Sequence, residues 1–276
     1  MKKLLNSLAT IFLTILTITF TFSPAVHASS LATPNYEVKL MMDTSKILDT
    51  NGDLSSTVKS IFGIYSSKNL NVQYLDTQNL ALNNEGWIVR MRKFDNDDNT
   101  ELTYKKRYSI TSGNINAALQ IAANDGFDTS ANNYSAQVDW GYANETLSFS
   151  NDKDFSYADY SSLDLPDTSS SIESAIDNIP GKLNKYLYKG WAQSQLNNSV
   201  LHGPYSGTRY IGQWDNLKIE LEVYELNNGS SIAEISFKTD DINQASTERQ
   251  KLINTLTASN WLIKSDETKT GIMLGE

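Results

Sequence analysis

The sequence predicts an α+β domain in which antiparallel strands dominate. Runs of alternating apolar and polar residues recur along the chain, at least five of them with one charged face, and strand side chains point to opposite faces in alternation. Asn, Asp and Gly stand between successive runs, as in Asp215-Asn216 and Asn227-Asn228-Gly229, which is hairpin-turn chemistry. Fewer stretches carry apolar residues at helical spacing. The 14 Tyr, 5 Trp and 9 Phe, with only 5 Pro in 276 residues, agree with a β-rich domain.

The first 28 residues stand apart from this pattern. Met1-Lys2-Lys3 is a basic start, Leu8 to Phe22 an apolar and threonine run of about fifteen residues, and Val26-His27-Ala28 a small-residue cleavage site, together the features of a secretory signal peptide. The run is shorter than the roughly 20 residues of a spanning helix. The expectation is therefore a secreted or periplasmic protein, with no membrane attachment after cleavage: signal peptide 1–28, short polar leader 29–34, and one domain over 35–276. Without cysteine the chain has neither a lipid-bearing residue at the cleavage point nor a disulfide. Cleavage removes Lys2 and Lys3 and no acid, so the formal charge of −9 becomes −11. That excludes nucleic acid as a general partner, because such binding rests on phosphate neutralisation by Lys and Arg.

Tyr36 to Asp43 alternates, with Tyr36, Val38 and Leu40 on one face and Glu37, Lys39 and Met41 on the other. Ser45 to Tyr65 has helical spacing only at Val58, Ile61 and Phe62. Val72 to Leu75 reads as a strand and Asp76 to Glu85 as a polar connection. Gly86 to Tyr108 is a hairpin with a polar loop, its Arg90 and Arg92 on one face of the first run and Thr103, Lys105 and Arg107 on one face of the second. Asn114 to Asn124 is a helix stopped by Gly126. Ala136 to Trp140 and Thr146 to Ser150 are strands. Asn151 to Ser171, rich in Asp, Ser and Tyr, is a loop and the expected place for mobility. Ile172 to Leu196 is helical with a break at Pro180-Gly181. Ser206 to Trp214, Leu217 to Leu226 and Ser231 to Lys238 are strands, and Asp241 to Ser259 is a closing helix.

Several cations converging in an acidic protein need an anion. Acidic faces lie near both ends of the domain: Glu37 with Lys39, Glu220 and Glu222 with Lys218, and Glu234 with Lys238. Such faces are either the wet side of an antiparallel sheet or the inward face of a closed barrel, where oxygen ligands would hold Mg²⁺ or Mn²⁺ beside cations gripping phosphate. Other chemistry is excluded more directly. His202 is the one histidine left after cleavage, which rules out a histidine zinc site or triad. No glycine-rich phosphate loop occurs, so side chains would have to hold any phosphate.

Tyr36-Glu37-Val38-Lys39, Gln73-Tyr74-Leu75-Asp76-Thr77 with Leu80-Ala81-Leu82, Gly86-Trp87, Arg90-x-Arg92 and Leu102-Thr103-Tyr104-Lys105 occur in that order. Ile219-Glu220-Leu221-Glu222-Val223-Tyr224, Ile232-Ala233-Glu234-Ile235 and Asn260-Trp261-Leu262 follow. This series resembles the CYTH domain, the triphosphate tunnel metalloenzyme superfamily, over almost all of the mature chain. The resemblance implies an antiparallel closed β-barrel forming a tunnel, with helices packed outside. It implies that Lys39, Arg90, Arg92, Lys105 and Arg209 bind a triphosphate or other polyanion, and that Glu37, Glu220, Glu222 and Glu234 bind Mg²⁺ or Mn²⁺. The implied activity is phosphoanhydride hydrolysis, as a tripolyphosphatase or nucleoside triphosphatase. Two positions depart from the family pattern. Its opening E-x-E-x-K has Asn35 as the first acid, and its later E-x-E has Ser236 as the second, each keeping an oxygen but losing a charge. The alternative expectation is a non-catalytic polyanion binder with a weakened metal site.

Overall fold

The computed structural model describes residues 30–159 and 161–275. The expected signal peptide lies outside them. Nine strands close into one barrel, in the order β1, β5, β6, β4, β3, β2, β7, β8, β9 and back to β1. They are β1 (Asn35–Met42), β2 (Ser66–Thr77), β3 (Trp87–Phe94), β4 (Thr100–Ser109), β5 (Ser135–Trp140), β6 (Glu145–Phe155), β7 (Ser199–Trp214), β8 (Leu217–Glu225) and β9 (Ser231–Thr239). Every pair is antiparallel except β1 with β5, which are parallel and set Glu37 opposite Asp139. The barrel is therefore mostly antiparallel. The departure has a simple cause: β5 is reached from β4 through a helix rather than a tight turn, so it is free to dock either way round.

Helices cover the outside, as expected. The apolar strand faces divide between two outer clusters, one beneath α4 (Ile115–Asn124), α5 (Thr168–Asp177) and α7 (Trp191–Asn197), the other beneath α2 (Ser56–Ile61) and α8 (Ile242–Ala258). Side-chain caps start most of them: Ser55 accepts from Val58 N, Asn114 from Ala117 N, Asp167 from Ser170 N, and Asp241 from Asn243 N and Gln244 N. Short helices α1 (Thr44–Ile47), α3 (Ala81–Asn84) and α6 (Gly181–Asn184) lie in connections. The break expected at Pro180-Gly181 is present: α5 ends at Asp177, and Pro180 is the N-cap of α6.

Four stretches differ from the sequence expectation. β2 and β7 are longer than the alternation suggests, because they pair with each other from Ser66–Ile211 to Thr77–Ser199 and backbone pairing carries them past the periodic residues. β6 continues to Phe155 for the same reason, paired with β4 down to Thr100. The remaining loop, residues 156–159 and 161–167, is tied to the outside of β2: Asn71 Nδ2 donates to Leu163 O at 3.0 Å and Gln73 Nε2 to Pro166 O at 2.9 Å. Finally, Leu31 in the leader bridges Asp128.

A further helix, α9 (Lys269–Leu274), follows the closing helix and packs on the inner face of the barrel. Its Met273 and Leu274 lie against Leu70, Val72, Tyr74, Tyr205 and Tyr224, and the Tyr205 hydroxyl donates to Met273 O at 2.6 Å. Asp266 anchors the approach to it by accepting from Ala143 N at 2.7 Å and Asn144 N at 2.9 Å. Gly207 belongs to the same arrangement. A Cβ there would stand 2.5 Å from the Tyr224 ring, so only glycine lets that ring lie flat on β7.

Candidate anion-binding tunnel

The alternation that hides apolar residues outside the barrel turns the intervening polar residues inward. A cavity of about 150 Å³ inside is lined by Lys39, Arg90, Lys105, Arg107, Asp139 and Lys269, among others. Register explains the grouping: Arg90 pairs with Thr103 across β3 and β4, Lys105 lies two residues farther along, and β5 brings Asp139 beside β1.

The cations in this cavity are unequally matched by acids. Lys39 is well matched, its Nζ lying 2.9 Å from Glu37 Oε2 and 2.8 Å from Asp139 Oδ1. Burial opposes its charge, but Asp139 and Glu37 outweigh burial and hold it above the ordinary lysine range. Lys105 has the Asp139 carboxylate at 3.7 Å, and burial pushes its ammonium down to about 8. Arg90 is worse placed. It donates from Nη2 to Thr103 Oγ1 at 3.0 Å, while its buried Nε has no hydrogen-bond partner among the described residues. Burial, and then Arg92, lower its affinity for a proton. Among the described residues neither Arg90 nor Arg107 has a carboxylate in ion-pair range.

The other expected residues face inward too, but they satisfy one another. Arg92 donates to Glu101 Oε2 from Nε at 2.8 Å, and Arg209 donates to Glu222 Oε1 from Nε at 2.8 Å. Both guanidinium groups lie over the Phe94 ring, at 4.9 and 4.6 Å. Glu220 stands 3.2 Å from Arg209 Nη1 and 3.0 Å from Lys218. Glu222 is fully enclosed; burial works against its charge, yet Lys269, Arg209 and Arg92 hold it well below the usual carboxylate range. Tyr224 OH donates to it at 3.1 Å, and Lys269 donates to the same oxygen, Oε2. Glu234 lies 3.2 Å from Lys269. Thus Lys39, Arg90, Lys105 and Glu234 line the cavity, whereas Glu37, Arg92, Arg209, Glu220 and Glu222 stand in ion-paired positions beside it.

Asp139 and Lys269 escaped the sequence reading. Asp139 had a signal, since it shares a strand face with Gln137, whose Nε2 donates to both Glu37 Oε2 and Asp139 Oδ1. Lys269 had none, because its segment carries no strand or long helical period.

The Mg²⁺ or Mn²⁺ that the resemblance implies does not fit this donor set. Such ions take several oxygen ligands at short distance. Here Glu37 with Asp139 forms one acidic place and Glu222 with Glu234 another, and each already holds a lysine ammonium. Among the described residues no three His, Cys, Asp or Glu side chains are placed to hold a metal. Ser236 adds nothing, its Oγ lying 3.5 Å from the Glu220 carbonyl.

No family model matches the chain. No curated protein sequence matches it either. Solved structures do. The "Putative adenylyl cyclase HpAC1" of Hippeastrum, described as having a dominant triphosphatase activity, is 12% identical, with 87% of this chain and 94% of that one covered at a TM-score of 0.51. A "putative adenylate cyclase" of Bacillus halodurans is 13% identical, with 86% and 95% covered at 0.50. At such identity the likeness shows the fold, and that fold is the tunnel barrel implied by the sequence resemblance.

Proposed function

We propose that this is an exported protein that binds a triphosphate or similar polyanion inside its barrel. One observation carries the reading: on a cavity wall that Lys105 and Arg107 also line, Arg90 has a buried Nε with no hydrogen-bond partner and no carboxylate in ion-pair range among the described residues. A buried charge with one neutral hydrogen bond and no counter-ion is costly, and an anion bound in the cavity removes that cost. A phosphate chain suits the geometry. It offers oxygens in succession to Arg90, Lys105 and Arg107, and guanidinium matches phosphate in shape as well as charge.

Titration calorimetry of the chain without residues 1–28 against tripolyphosphate tests this. Binding is expected, weakened about tenfold to a hundredfold in Arg90→Met, the usual effect of losing a charge-assisted contact. No binding by the parent, or equal binding by an Arg90→Met/Lys105→Met double variant, rejects the proposal.

A second reading is hydrolysis of that triphosphate with a divalent ion. The triphosphatase activity given for the Hippeastrum protein of the same fold favours it. The ion-paired state of Glu37, Glu222 and Glu234 counts against it. Phosphate release from tripolyphosphate with Mg²⁺ or Mn²⁺, compared with Glu222→Ala, separates binder from hydrolase. Export is supported by the basic start, apolar run and cleavage site of residues 1–28. Processing at Ala28 in a secreting host is its direct check.

A further inference from the structure

The acidic place formed by Glu222 and Glu234 is filled from an unexpected direction. β8 and β9 set these two residues opposite each other in register, which puts two carboxylates side by side inside the barrel. Two carboxylates there require a cation. The cation comes from α9, whose Lys269 reaches Glu222 Oε2 and lies 3.2 Å from Glu234 Oε1. It also stands 5.2 Å from the centre of the Tyr224 ring, whose face favours positive charge.

We propose that Lys269 is a tethered cation standing where a divalent ion would otherwise be held, so that this wall of the barrel works with an ammonium in place of a metal. Charge supports it. Lys269 is shared by Glu222 and Glu234, and Glu222 also has Arg209 at 2.6 Å and Arg92 at 3.9 Å, guanidinium groups that it shares with Glu220 and Glu101. A divalent ion could reach these carboxylates only by displacing cations already in contact with them. Ser236, opposite Glu220 and on the same face of β9 as Glu234, brings no further carboxylate.

Anchoring supports it too. A lysine on a loose tail would be displaced by a metal at modest cost, but Lys269 opens a helix whose other end is buried. Met273 and Leu274 sit in the inner apolar cluster and the Met273 carbonyl accepts from Tyr205. On the N-terminal side, Thr268 caps the helix by accepting from Gly271 N at 3.0 Å, and Asp266 holds the β5–β6 turn. The α9 backbone therefore stays docked, and withdrawing the ammonium takes a turn of the lysine side chain away from both carboxylates.

Mn²⁺ binding, followed by electron paramagnetic resonance of the free ion and by calorimetry, tests the proposal without any substrate. The parent chain is expected to bind no Mn²⁺ at Glu222 and Glu234. Lys269→Met, which keeps the stem and drops the charge, is expected to gain a site at least about tenfold tighter, as ligand charge balance sets affinity. Adding Glu234→Gln to Lys269→Met should abolish it. Mn²⁺ binding by the parent that Glu234→Gln removes would overturn the proposal, whether or not the lysine variant folds. So would a folded Lys269→Met, judged by an unchanged melting profile, that gains no site.

Discussion

Lys105 is the residue whose charge is most exposed to experiment, because burial brings its ammonium down to about 8, with the Asp139 carboxylate as far as 3.7 Å away. A bound anion stabilises the charged form, so anion binding takes up a proton wherever free Lys105 is neutral. Tripolyphosphate affinity is therefore expected to hold steady up to about pH 8 and then to fall, by up to about tenfold per pH unit. Lys105→Arg keeps its charge throughout and should flatten that profile. Calorimetry between pH 6 and 10 on both forms gives the answer, and a parallel decline in both would assign the titration elsewhere. Arg90, by contrast, stays charged at all these values, so its substitution lowers affinity without changing the shape of the curve.

At the scale of elements, α9 both closes part of the interior and delivers Lys269. Truncating its anchor by Met273→Ala should destabilise the fold by about 2–3 kcal/mol, as for a buried methionine. It should also increase dye binding to the uncovered Tyr74, Tyr205 and Tyr224 surface. Urea unfolding and dye fluorescence measure the two effects. Gly207→Ala acts on the same region from the opposite side, since its Cβ would press on the Tyr224 ring at 2.5 Å. α9 also marks where the sequence stops being legible. Strands that face water or the tunnel on one side advertise themselves by alternation, so β1, β3, β4, β8 and β9 could be read directly. So could α8, expected over Asp241 to Ser259 and observed over Ile242–Ala258. β2, β6 and β7 run farther than their alternation because pairing with a long neighbour extends them, and no local signal records a neighbour. α9 is six residues long and its buried residues face tyrosines from three strands, a relationship that exists only in the folded barrel. The site divided in the same way. Arg90 and Lys105 were visible as a converging pair, whereas Asp139 joined them only through the parallel pairing of β5 with β1.

The molecule as a whole balances a strongly acidic surface against an interior in which acids and bases neutralise one another. Glu37, Asp139 and Glu222 all lose their protons more readily than usual: burial resists ionisation in each, and lysine and arginine neighbours overcome it. Folded values below the unfolded ones mean stability that is present above about pH 4 and lost as pH falls toward the folded values. The urea midpoint should thus be nearly constant from pH 7 to about 5 and decline below about 4. Asp139→Asn should lower stability at pH 7 by about 3 kcal/mol, the lower end for a broken buried pair because its side chain is 13% exposed, and should reduce the acid slope.

Barrel closure has a temporal side. The seam between β1 and β9 sets Glu37 opposite Lys238, about two hundred residues later in the chain. Contacts of such long sequence separation form slowly, since the intervening chain must give up its freedom before they reward it. Until β9 takes its place, Lys39 has no complete wall around it and the cavity has no inside. Anion binding should therefore appear only with the slowest folding phase, as a single late event. A chain interrupted before β9 would carry Arg90, Lys105 and most of the other tunnel cations, yet hold no triphosphate.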